Sequence, residues 1–143
     1  MTINLSKLHP TAYQGVIALS QEADAAAGRA GLDRLLVELV KIRVSQLNGC
    51  AFCLRMHTRD AIAAGETADR LAVVAAWWES QYFTEQEQAA LALAEDVTRM
   101  PVPEPERDTR ALTDEQVSAV TWLAIVMNAW NRIAVRSHYP VGP

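Results

Sequence analysis

Asn48-Gly49-Cys50-Ala51-Phe52-Cys53-Leu54-Arg55-Met56-His57 joins a helix stop to a helix start and holds the only two cysteines of the chain. Asn48-Gly49 ends one helical run, because glycine takes the left-handed backbone at little cost. Cys50 then opens the next. The cysteines stand three positions apart and His57 follows the second by four, so on a helix two thiols and an imidazole share one face. Close cysteines can bridge, and an adjacent imidazole can activate a thiol. The spacing predicts a chain that cycles between dithiol and disulfide.

The pattern on both sides of this turn is helical. Leu35, Leu39, Ile42 and Gln46 predict a helix over 32–48, and a further one runs over 50–64 and stops at Gly65. Upstream, a helix over 10–27 ends near Gly28 and Gly31. Downstream, Thr67 opens a fourth helix through Leu71, Val74 and Ala75 to Trp77-Trp78. Thr84-Glu85-Gln86-Glu87 is a capping box and starts a fifth helix that reaches Arg99. Met100-Pro101-Val102-Pro103-Glu104-Pro105 carries too many prolines for a helix and predicts an extended connector. Thr113-Asp114-Glu115-Gln116 is a second capping box. It opens a last segment over 114–137, which the sequence allows as one helix or two. Val117, Val120, Leu123, Ile125, Val126, Trp130, Ile133 and Val135 spread over nearly every side of that segment, as in a helix buried in a core or a subunit contact. The expectation is one all-α domain over 1–143, with six to seven helices and a homo-oligomeric state.

Composition bounds the function. The chain has 143 residues, 50% hydrophobic and 21% charged, which suits one globular core. A net charge of −4 lacks the basic footprint of a nucleic-acid binder. No apolar stretch approaches the ~20 residues of a membrane helix. Met1-Thr2-Ile3-Asn4-Leu5 lacks the basic start of a secretion signal, so a cytoplasmic location is expected. In that compartment a close cysteine pair serves catalysis or metal binding more often than it serves as a structural staple.

The thiolate is the reactive form of cysteine. Both cysteines fall in the first turn of the 50–64 helix, where unpaired amides and the macrodipole favour negative charge. His57 lies one turn beyond Cys53 and can share its proton. Cys50, Cys53, Leu54, His57, Ala61 and Ala64 form one stripe, which directs the pair toward the protein interior. Glu38 sits among Leu35, Leu39 and Ile42 on the apolar stripe of the preceding helix. A carboxylate there needs a partner, and burial is expected to raise its pKa. Helix packing can bring it to His57 or a thiol, where it would pass protons and fix the imidazole tautomer. A salt bridge to Lys41, Arg34 or Arg43 is the competing expectation.

Glu38, then Cys50-x-x-Cys53-x-x-x-His57, resembles the motif of the alkylhydroperoxidase D / carboxymuconolactone decarboxylase family. Leu36-Val37-Glu38-Leu39-Val40 and Met56-His57-Thr58-Arg59-Asp60-Ala61 flank it in the same way. Thr84-Glu85-Gln86-Glu87-Gln88-Ala89-Ala90-Leu91 and Asn128-Ala129-Trp130-Asn131-Arg132 also look like peroxidase-type members. The resemblance implies an all-helical fold assembling as trimers or hexamers. It implies a thiol peroxidase that acts on hydroperoxides without haem or flavin, and the disulfide it forms is expected to be reduced by an external dithiol; no cofactor or metal is expected. Cys53, Cys50, His57 and Glu38 match the thiol and proton-relay positions. Some members carry a histidine just before the second cysteine, where this chain has Phe52. Members that decarboxylate lactones lack the cysteine pair.

On this reading Cys53 attacks the peroxide, His57 draws off its proton with Glu38 behind it, and Cys50 condenses with the resulting sulfenic acid; thioredoxin-type geometry, in which the first cysteine of a pair is often the nucleophile, assigns the attack to Cys50 instead. A zinc site on Cys50, Cys53, His57 and Glu38 is one rival, although structural zinc sites draw ligand pairs from two knuckles. A redox sensor or adaptor using the same disulfide is another. Trp77, Trp78, Trp122 and Trp130 are expected as core or interface anchors rather than pocket walls. Asn128, Asn131 and Arg132 either bond across a subunit contact or mark an exposed edge. Arg55 and Arg59 are expected on a solvated helix face.

Overall fold

The structure, a computed structural model, describes residues 2–101 and 109–143. The described residues form α1 (Leu5–Leu8), α2 (Pro10–Arg29), α3 (Arg34–Asn48), α4 (Ala51–Ala63), α5 (Ala68–Val73), a 3-10 turn (Val74–Glu79), α6 (Glu85–Arg99) and α7 (Asp114–Arg136). No strand occurs among them.

Local chemistry explains the helix ends. The Asp33 side chain accepts the Leu36 N–H and starts α3. Gly49 stops it at φ 65°, a left-handed conformation in which a side chain is costly. Both capping boxes form: Thr84 with Glu87 opens α6, and Thr113 with Gln116 opens α7. With no proline or glycine inside it, α7 is one unbroken helix of 23 residues.

Two expectations are corrected. The short α1, capped by Asn4, precedes the expected first helix. The expected fourth helix is an α-helix followed by a 3-10 turn, because Ala76 leaves helical geometry at φ −130°, ψ 39°. That break turns the Trp77 indole toward α6, where its N–H donates to Glu95 Oε1 at 2.8 Å. Val102 to Pro105 of the expected connector lie outside the described residues. α6 does end just before it, at a left-handed Met100.

The central element is α3. Every residue from Leu36 to Ser45 is buried, and α4, α6 and α7 all pack on it, while α2 packs chiefly along α7. α7 itself is two-sided. Val120, Leu123 and Met127 enter the core, whereas Trp122 and Ile125 are 46% and 40% exposed. Asn128, Asn131 and Arg132 of α7 bond within the chain. Asn48 Nδ2 donates to Asn131 Oδ1 and Asn128 Oδ1, both at 2.9 Å, and Asn131 Nδ2 donates to Ser45 Oγ at 3.0 Å. This network fastens the end of α3 to α7 directly before the turn that delivers Cys50. Buried polar side chains are stable only when satisfied in this way.

Candidate active site

Cys50 is the N-cap of α4, in extended backbone, and its sulfur accepts the Cys53 N–H at 3.2 Å. Cys53 is thereby set in the first helical turn. The two are joined as a disulfide, with Cα atoms 5.4 Å apart, and no described cysteine is free. Both are almost fully buried, at 1% and 2% exposure. A buried pair meets reagents only through a cleft.

His57 follows on the same face of α4 and is buried. Its Nδ1 lies 3.0 Å from Glu38 Oε2, across the α3–α4 contact. The packing of two consecutive helices has therefore brought together the residues singled out in the sequence. Glu38 is fully buried. Its other oxygen forms an ion pair with Arg34 Nη2 at 2.8 Å that lacks hydrogen-bond alignment. Both expected partners are thus present, the imidazole and a guanidinium. Of the other cations weighed for it, Lys41 pairs with Asp24 at 2.8 Å and Arg43 with Glu95 at 2.8 Å.

The Glu38 carboxyl is held below its ordinary pKa, which corrects the sequence expectation. Burial pushes it up, and is the largest single influence. The His57 hydrogen bond and the electrostatic attraction of His57, Lys41 and Arg34 together outweigh that push. An ionised carboxylate can only accept hydrogen bonds. It therefore selects the His57 tautomer with its proton on Nδ1 and leaves a lone pair on Nε2 for base chemistry.

Cys53 and His57 line one cleft of about 480 Å³. Ile17, Met56, Met127 and Trp130 give it apolar walls, and Tyr13 and Tyr139 bring phenols. Burial, followed by a hydrogen bond with Tyr139, raises the Tyr13 pKa, so that phenol stays protonated at neutral pH. Trp130 is therefore a wall of the cleft as well as a partner of the core, contrary to the expectation for the tryptophans. Trp77 and Trp78 line a second and larger hollow of about 770 Å³ on the α6 side, which holds no cysteine or histidine. The sequence pattern missed Tyr13, Asp24 and Asp60. Asp60 Oδ2 lies 3.8 Å from His57 Nδ1, one turn along α4, a spacing that could have flagged it.

The residues whose ligand atoms cluster differ from the zinc set weighed in the sequence. With their sulfurs bonded to each other, Cys50 and Cys53 are not ligands in this form. Glu38, His57 and Asp60 each place one ligand atom within 4.8 Å of the others. The Glu38–His57 hydrogen bond and the Arg34 ion pair already engage two of those groups.

Comparisons with known proteins fit this geometry. A family model described as the carboxymuconolactone decarboxylase family matches residues 10–96, a span that holds Glu38, Cys50, Cys53 and His57. YdfG of Bacillus subtilis (strain 168), itself uncharacterized, is 40% identical over 112 residues, 75% of this chain and 76% of its own length. YnjA of Escherichia coli (strain K12), also uncharacterized, is 32% identical over 73 residues, which are 51% of this chain and 40% of YnjA. A crystal structure of ATU0492 from Agrobacterium tumefaciens superposes with a TM-score of 0.85 at 35% identity, covering 99% of this chain and all of that one. That protein is of unknown function and is provisionally assigned to antioxidant defence as AhpD.

Proposed function

This chain belongs to the carboxymuconolactone decarboxylase family, and on that footing we propose that it is a thiol-dependent hydroperoxide reductase. One observation carries the reading: the bridged Cys53 and the Glu38-supported His57 open on the same cleft. The provisional assignment of ATU0492 to antioxidant defence supports it as well.

In the reduced chain His57 Nε2 takes the Cys53 proton. The Cys53 thiolate attacks one peroxide oxygen, the O–O bond breaks, and the other oxygen leaves as alcohol or water after protonation from His57. Cys53 is then a sulfenic acid. Cys50, held beside it at the helix cap, displaces hydroxide, and the disulfide closes with loss of water. Glu38 keeps the imidazole in the required tautomer and stabilises its charged form. An external dithiol restores both thiols. The working form is proposed as a homo-oligomer, trimer or hexamer, in the cytoplasm.

The test is steady-state consumption of an organic hydroperoxide with a dithiol donor, in wild type, Cys50→Ser and Cys53→Ser. Wild type should turn over repeatedly and neither variant should. Oxidation of wild type that stops after one equivalent would instead identify a sensor.

A further inference from the structure

The two cysteines of the disulfide line different hollows. Cys53 faces the large cleft with His57. Cys50 faces a second groove of about 200 Å³, bounded by Gly49, Ala51, Val135, His138 and Val141. Phe52 and Tyr139 line both hollows, and their rings pack edge-on at 5.1 Å, so they form the partition between them. The chain segment on the far wall of the groove is tied to α4, because Arg55 Nη1 donates to Gly142 O at 2.8 Å.

Thiol–disulfide exchange is a displacement along the S–S axis: the incoming thiolate approaches the attacked sulfur from the side opposite its partner. Access on each side therefore decides which sulfur is attacked. Cys53 is the cysteine that lines the His57 cleft, and Cys50 the one that lines the groove.

We propose that the external dithiol reductant enters through the Cys50 groove, separate from the peroxide cleft, and attacks Cys50. The inference rests on the peroxidase reading for the order of the cycle. The sidedness belongs to the disulfide itself. The first thiolate of the reductant bonds to Cys50 Sγ, the Cys50–Cys53 bond breaks, and its electron pair leaves on Cys53. The second thiol of the reductant then closes on the first sulfur as an intramolecular disulfide and expels Cys50. The two protons of the dithiol end on Cys50 and Cys53, so two electrons and two protons pass to the protein. Cys53 is released on the His57 side, already in the peroxide cleft. His138, exposed on the groove wall, adds an imidazole beside the incoming thiol.

The experiment separates the half-reactions. Protein is oxidised with diamide and its reduction by dithiothreitol is followed without peroxide; oxidation of the reduced protein by an organic hydroperoxide is measured independently. Val135, exposed on the groove rim, is changed to Trp, and Ile17, on the large cleft, is changed to Trp in a second variant. Val135→Trp should slow reduction by about ten-fold or more and leave oxidation by peroxide unchanged, and Ile17→Trp should do the reverse. Reduction slowed by Ile17→Trp and untouched by Val135→Trp overturns the proposal. A wild-type control needs no variant to fold: oxidised protein is treated with excess 2-mercaptoethanol, quenched with iodoacetamide and mapped. The mixed disulfide should sit on Cys50 and the alkyl group on Cys53, and the opposite placement refutes the route. Because the reduction arm uses no peroxide, failure of the peroxidase reading leaves its outcome distinguishable.

Discussion

At the scale of single residues, Glu38 carries the electrostatics of the site. It is fully buried, yet its carboxyl is held below its ordinary pKa by His57, Lys41 and Arg34. A folded-state pKa below the unfolded value means that ionised Glu38 stabilises the fold above the usual carboxylate range, near pH ~4.3. That stabilisation is lost as pH falls through the folded value. Urea denaturation at a series of acidic pH values should therefore show a shallower loss of stability in Glu38→Gln than in wild type. The same variant should slow peroxide consumption by about 10²-fold, the usual scale for one proton-transfer group. Wild-type rates would leave Glu38 with a structural role only. The need of Glu38 for a partner was legible from its apolar neighbours, and His57 was among the candidates named. The direction of its pKa shift was not legible, because it depends on how closely His57, Lys41 and Arg34 approach once the helices pack.

At the scale of elements, the α3–α4 turn sets the chemistry. Gly49 has a positive φ and open space where a side chain would project, so Gly49→Ala meets no clash and only the backbone cost. It should lower stability by about 1–2 kcal/mol in chemical denaturation. Asn131 is 1% exposed and links Ser45 to Asn48. Asn131→Ala should cost about 1–3 kcal/mol, because buried hydrogen-bonding groups lose their partner. It should also alter the reduction potential of the Cys50–Cys53 disulfide by loosening the turn that presents Cys50. The helix starts were readable because Thr84–Glu87 and Thr113–Gln116 are local devices that need no tertiary help. The break at Ala76 was not, since neither glycine nor proline marks it and the Trp77–Glu95 bond that accompanies it is tertiary.

At the scale of the whole molecule, the fold brings α2, α4 and α7 around one cleft, and this was the least legible part. Tyr13 and Asp24 on one face of α2 and Trp130 on α7 reach it from helices far apart in sequence, and no spacing rule connects one helix to the other. Cys50, Cys53 and His57 were legible because one helix carries all three. The proposed oligomer belongs to this scale too. Trp122 and Ile125 lie one turn apart on the outer side of α7, large apolar groups left in solvent by the single chain. Light scattering on wild type should report a trimer or hexamer, and Trp122→Glu should shift it toward monomer. A monomeric wild type would remove the assembly from the account.

The most direct measurement is trapping of the sulfenic acid with a dimedone-type label after one equivalent of hydroperoxide. Reduced Cys50→Ser should carry the label on Cys53, reduced Cys53→Ser should carry none, and wild type should instead lose both thiols to the disulfide. Label confined to Cys53→Ser, or thiols left intact in wild type, would contradict the assignment of Cys53 as the attacking sulfur served by His57 and Glu38.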